Sequence, residues 1–204
     1  MAPSSDIAFT ASVKAVQALR GSRAACARLE ADGGWETQVT PELAAFLAAQ
    51  DSVVLATAST AGQPYAQHRG GPQGFIRVLD GSTLAFADYR GNRQYITQGN
   101  LAENAQAFII AIDYRRRQRV KIWGRARVVD DPVVLAQLRS EGYRAKAEQA
   151  ILFAVEAWCA NCPSHIPQML PASEVAAALA RLQERIQELE AENAALRGAR
   201  ATGS

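Results

Sequence analysis

The chain has 204 residues, 49% of them hydrophobic, and its 22 basic and 20 acidic side chains leave a net charge of +2. That length supports one buried core plus an appendage, and the near-neutral balance argues against a general binder of nucleic acid. There is no run of about 18 apolar residues to span a membrane and no apolar signal core at the start; three cysteines, an odd number, argue against a disulfide framework and for a reducing cytoplasm.

Residues 8–30 read as one helix, with Val13, Val16, Leu19, Ala27 and Leu29 approximating its apolar stripe, ended by Asp32-Gly-Gly34. Thr40-Pro41-Glu42 is a helix start: a capping threonine, proline at the first helical position and an acid in the first turn. That helix carries Leu43, Phe46 and Leu47 and is expected to end near Gln50. The period then changes. Ser52–Ser59 is short and β-branched, and Ala61-Gly-Gln63 turns the chain. Phe75–Leu79 and Thr83–Ala87 flank Asp80-Gly81, a hairpin signal. Ala107–Asp113 and Val120–Val129 form a longer pair across an arginine-rich connection. Asp131-Pro132 starts a helix expected to reach about Glu141, and Ile151–Glu156 reads as a last strand. Strands that cluster without βαβ alternation favour a small antiparallel barrel with peripheral helices, an α+β class dominated by β.

The C-terminal stretch differs. Ala172, Val175, Leu179, Leu182, Ile186, Leu189, Asn193 and Leu196 alternate spacings of three and four. With Leu179, Ile186 and Asn193 at a and Leu182, Leu189 and Leu196 at d, this is about three heptads of coiled coil with one polar a position. It is read either as an intermolecular coil or as a surface helix on its own barrel. The expected organisation is a helical segment at 1–39, a barrel domain at 40–171, the coiled-coil helix at 172–197 and a disordered tail at 198–204.

Two segments carry the chemistry. Gln63-Pro-Tyr-Ala-Gln-His-Arg-Gly-Gly-Pro-Gln-Gly-Phe75 puts His68, Arg69 and several glycines where a sheet needs packing side chains, so a ligand is expected to approach the main chain closely there. Arg69 offers a planar fork of donors. Phe86-Ala-Asp-Tyr-Arg-Gly-Asn-Arg-Gln94 repeats the theme, with an arginine opening a helix. Two such segments point to a bound anionic cofactor. The run Arg115–Arg119 reads as a solvated hairpin tip, lacking the aromatic interleaving of a nucleic-acid surface. Cys159-X-X-Cys162 with His165 invites a zinc or dithiol reading; zinc lacks a fourth ligand, and a structured turn anchored by Trp158, Asn161 and Pro163 is favoured.

Over Ser52–Val129 the chain resembles the pyridoxamine 5'-phosphate oxidase-like split-barrel flavoproteins. The marks are Gly62-Gln-Pro-Tyr65, Phe86–Gln94 and Arg119-Val-Lys-Ile-Trp-Gly-Arg-Ala126, in the family's order and spacing. The resemblance implies a homodimer binding FMN at the subunit interface and acting on a small-molecule substrate or reduced nicotinamide. It places the first cofactor strand on Gln67, His68, Arg69, Gly70 and Gly71, the second on Phe86, Ala87 and Asp88, and the phosphate loop on Asn92, Arg93 and Gln94. A hairpin residue that touches the flavin falls on Arg119, and Trp158 is a candidate cover for the ring. The departures are specific. Gln94 stands where the family has a phosphate-binding lysine, leaving Arg69 or Lys121 to compensate. Asp88 stands where it has threonine, and is expected to bond Arg93 or Arg90. Trp158–Pro167 replaces the Arg-X-His element that grips the vitamin phosphate, so pyridoxamine phosphate is not the expected substrate. A flavin carrier or sensor without turnover, a deazaflavin site, and haem binding with His68 as axial ligand are the alternative readings.

Overall fold

The computed structural model describes residues 2–161 and 164–201. They form two compact units: residues 2–113 with 118–161 and Ser164, and Tyr114–Arg117 with the chain from His165 onward.

The first unit opens with a 3-10 turn, Ser4–Ile7, then α1 (Ala11–Leu19) and α2 (Arg23–Ala31). The single helix expected over 8–30 is broken, because Gly21 takes φ 79° and Ser22 restarts the chain. The expected stripe is also turned outward: Leu19 is 81% exposed, while Gln17 is buried. Gln17 accepts a bond from Arg23 Nη1 at 2.5 Å, and Arg23 and Lys14 both pair with Glu30. A polar network, rather than an apolar face, ties this pair of helices together.

α3 (Pro41–Ala48) begins as its sequence signals dictate: the Leu43 N–H donates to Thr40 Oγ1 at 3.3 Å, with Pro41 at the first position. Seven strands follow: β1 (Ser52–Ala58), β2 (Pro64–Gly70), β3 (Arg77–Val78), β4 (Thr83–Tyr89), β5 (Gln106–Asp113), β6 (Gln118–Val129) and β7 (Ala147–Asn161). All pair antiparallel, in the order β2-β1-β5-β6-β7-β4-β3. α4 (Ile96–Glu103) connects β4 to β5, and α5 (Pro132–Leu138), capped by Asp131, connects β6 to β7. The expected α+β fold of antiparallel strands with peripheral helices is what the chain adopts. The last strand is far longer than its apolar hexapeptide advertised, because β7 pairs along β6 and β4 at once.

The sheet curls around one core. Leu55, Leu84, Phe86, Ile109, Ile122, Ile151 and Phe153 are fully buried inside it. Gly124 makes the curl possible. The β6–β7 register shifts between Trp123 and Gly124, and a Cβ on Gly124 would lie 2.0 Å from the Ala154 carbonyl oxygen. On the outer face Trp35 stacks on Trp123 at 4.5 Å, with Phe9 and Phe108 against the pair.

In the second unit α6 runs Ala172–Ala201 as one helix, continuing beyond Arg197. Arg115 pairs with Glu174 at 2.8 Å, Arg117 Nε donates to the Ile166 carbonyl at 3.0 Å, and the Met169 N–H donates to Tyr114 O. The arginines of the hairpin tip thus hold the segment leading into α6.

Candidate functional site

β2 and β4 lie near opposite ends of the strand order, yet the curl brings them together. Alternation on β2 sends Gln67 and Arg69 inward and leaves His68 exposed. Arg69 meets Asp88 of β4 in an ion pair; the two side chains are 11% and 9% exposed. This pair closes the gap across the split sheet. Asp88 accepts a second bond, from Gln98 Nε2 at 3.1 Å. The expected partners of Asp88 were Arg93 or Arg90; the structure gives it Arg69 and Gln98 instead, and Arg90 faces Glu148 at 3.6 Å. Nineteen residues of sequence separate Arg69 from Asp88, and only the curl makes them neighbours.

α4 points its N-terminus into the same place. Its polar stripe fixes it to the sheet: Thr97 Oγ1 donates to Gln67 Oε1 at 2.9 Å, Asn100 Nδ2 to Thr57 Oγ1 at 3.0 Å and Asn104 Nδ2 to the Ala58 carbonyl at 3.2 Å. The spacing 97, 100, 104 puts all three on one helical face. The entry to α4 is unusual. Arg93 and Tyr95 both take left-handed angles, φ 61° and 53°, and no side chain caps the helix. Asn92 Oδ1 instead accepts from the Gln94 N–H at 3.1 Å, shaping the turn before it. The first-turn amides of α4 therefore lack intrahelical acceptors and carry the positive end of the helix dipole.

The resulting cleft is lined by Gln67, Arg69, Asp88, Tyr89, Gly91, Asn92, Arg93, Tyr95, Thr97, Gln98 and Glu148. It encloses about 40 Å³. That is far too small for a tricyclic ring. Of the two guanidinium groups in the lining, Arg69 is committed to Asp88, though its Nε is buried with no partner. Arg93 is exposed, with Nε donating to Tyr95 Oη at 3.3 Å, and is the cation available to an incoming anion.

The sequence-expected residues divide accordingly. Gln67, Arg69, Asp88, Asn92 and Arg93 line this cleft. Gln94 is exposed beside it and shapes the turn. Phe86 is core, edge-on to Phe75 at 6.1 Å, and Ala87 packs with Leu138 and Ala150 under α5. At Gly70 and Gly71 the place of a side chain is taken by the His68 ring and by the Phe75 side chain respectively, and neither glycine lines the cleft. Trp158 is an anchor for the N-terminal segment, its indole N–H donating to the Gln38 carbonyl at 2.7 Å and its amide to Glu36 O. Arg119 lies on β6 opposite Asn161, with a buried and unpartnered Nε, and Lys121 lies opposite Cys159; neither lines the cleft. Burial pushes the Cys159 thiol up, with Lys121 and Arg119 pulling it the other way, so this is not a ready thiolate. Cys162 and Pro163 lie outside the described residues. Among the described residues no cluster of three His, Cys, Asp or Glu side chains is placed to hold a metal, and no helix is long and apolar enough to cross a membrane.

Thr97, Gln98, Tyr95 and Glu148 were not legible as site residues. The i, i+3, i+7 run of Thr97, Asn100 and Asn104 was the available signal for α4, since small polar residues repeating on one face mark a helix bonded to a polar rim.

An open antiparallel sheet curled across an Arg–Asp clasp, with a helix N-terminus aimed at the clasp, defines a split-barrel protein. The family profile described as pyridoxamine 5'-phosphate oxidase matches residues 39–177, and the chain belongs to that family. HupZ of Group A Streptococcus superposes with TM-score 0.50 at 18% identity, over 64% of this chain and 98% of that one. An FMN-binding protein of Syntrophomonas wolfei subsp. wolfei gives 0.47 at 8% identity, over 72% and 97%. The haem storage protein HutZ of Vibrio cholerae gives 0.41 at 16% identity, over 60% and 94%. A comparison with curated protein sequences finds no match.

Proposed function

We propose that this protein binds FMN, with the phosphate in the cleft at the α4 N-terminus, and serves as a redox protein acting on a small molecule. The observation that carries this is the convergence of Arg93, the left-handed turn and the uncapped amides of α4 on one small cleft. Arg93 supplies the fixed charge, and the amides of the first helical turn supply aligned donors. Gln67, Thr97 and Gln98 hold the floor of the niche in place through their own hydrogen bonds. FMN, when bound, supplies two-electron redox chemistry, and this chain's contribution is to grip, orient and shield it. With Asp88 committed to Arg69 and Glu148 facing Arg90 at 3.6 Å, no carboxylate in the lining is set apart as an acid or base, so none is assigned.

The small volume enclosed by one chain supports a site completed by a second subunit. The outer sheet face favours the same arrangement: Val54 and Ala56 on β1 lie opposite Ile110 and Phe108 on β5, Ile112 follows on β5, and all five are only partly buried. Apolar rows of that kind on a sheet are the usual material of a homodimer interface.

Arg93→Ala tests the reading. FMN affinity is expected to fall at least about tenfold, one charge-assisted hydrogen bond's worth, measured by flavin-fluorescence titration, while riboflavin affinity stays unchanged. Unchanged FMN affinity would remove Arg93 from the phosphate site.

A further inference from the structure

We propose that α6 pairs with the same helix of a second copy as a parallel, in-register, two-stranded coiled coil. Among the described residues nothing covers the a and d side chains of α6: Val175, Leu179, Leu182, Ile186, Leu189 and Leu196 are 41–61% exposed. They form a continuous seam of period 3.5, narrower than the face a globular core covers.

The flanking charges identify the occupant. Position g carries Arg185 and Glu192, and position e carries Glu190 and Arg197. In a parallel, in-register pair each g residue faces the e residue five positions on in the other helix. Arg185 then meets Glu190 and Glu192 meets Arg197, and the two-fold symmetry repeats both contacts. Every charged g–e' pair is attractive. Asn193 at a then faces its own copy, where the two amides can bond each other. Its Nδ2 meanwhile reaches only the Leu189 carbonyl, at 3.1 Å. The antiparallel alternative that pairs Arg185 with Glu192 sets Asn193 against Leu182 and leaves Arg197 without an acid. Burying an amide against leucine leaves its hydrogen bonds unmade, which disfavours that arrangement. A seam of about three heptads is marginal by itself; attachment to a chain that also associates elsewhere raises the effective concentration and makes it sufficient. The pairing stands whether or not the chain binds FMN.

The test uses the full-length chain with Leu189→Cys at a d position and Ala191→Cys on the outer face as control, each mildly oxidised beside the wild type. A disulfide-linked dimer as the main product for Leu189→Cys, with Ala191→Cys at the wild-type level, is expected. Equal yields for the two variants, or linkage only between Leu182→Cys and Asn193→Cys chains, would overturn the parallel coil. Adding Arg185→Glu to Leu189→Cys is expected to cut the dimer yield about threefold, and further adding Glu190→Arg to restore it. No restoration would overturn the register.

Discussion

Replacing Asp88 by alanine is expected to lower stability by about 3 kcal/mol, because it leaves the Arg69 guanidinium buried without its counter-charge. Both side chains are about one-tenth exposed, and the pair joins strands from opposite ends of the sheet. The loss is therefore both electrostatic and architectural, and chemical denaturation of the two proteins side by side measures it. The milder Asp88→Asn separates the two roles. Its amide keeps the shape and part of the bonding, so the fold survives with a lowered midpoint. The cleft meanwhile loses one of its two acidic groups and Arg69 is freed for an anion. FMN affinity is then expected to rise about threefold or more, as removing a like charge from an anion's surroundings requires. An Asp88→Asn protein that folds and binds FMN more weakly would show that Asp88 contacts the ligand directly instead of restraining Arg69.

Gly124→Ala carries the second large effect. The added methyl would stand 2.0 Å from the Ala154 carbonyl oxygen and 2.6 Å from the Phe153 ring. Neither is the free end of a flexible chain. The β6–β7 ladder would have to reopen at its register shift, at a cost of about 3 kcal/mol from overpacking. Gly99→Ala provides the contrast in the same experiment. Gly99 sits inside α4, with nothing within 4 Å of its virtual Cβ. Alanine there is expected to stabilise by about 0.5–1 kcal/mol through chain entropy. Similar midpoints for both variants would mean that the register shift tolerates a side chain and that the curl does not depend on Gly124.

Features written locally were legible. Thr40-Pro41 and Asp131-Pro132 open helices where they stand, Gly62 turns β1 into β2 and Asp80-Gly81 sits between β3 and β4. The turn that brings Asn92 and Arg93 to the cleft was legible for the same reason, since both are neighbours in sequence of the start of α4. Features set by the curl were not. Arg69 and Asp88 line the cleft as expected, but their ion pair was not legible, because nothing local pairs strands two and four of a sheet ordered β2-β1-β5-β6-β7-β4-β3. Trp158 looked like a lid for the same reason: its partners, Glu36 and Gln38, lie more than a hundred residues away. The glycines at 70 and 71 signalled missing bulk correctly, but the bulk that fills the space is the chain's own His68 and Phe75. The helix read over 8–30 failed at Gly21, where a left-handed angle outweighs the propensities on either side.

The proposed function requires that this cleft grip the phosphate of a flavin nucleotide. Parallel fluorescence titrations of the ligand-stripped protein with FMN and with riboflavin test it most directly, because the two differ only in the group the niche is built to hold. Stoichiometric uptake of FMN is expected, with riboflavin binding at least about a hundredfold more weakly, the worth of the helix-end amides and the Arg93 charge together. Equal affinities, or no uptake of either ligand, would contradict it.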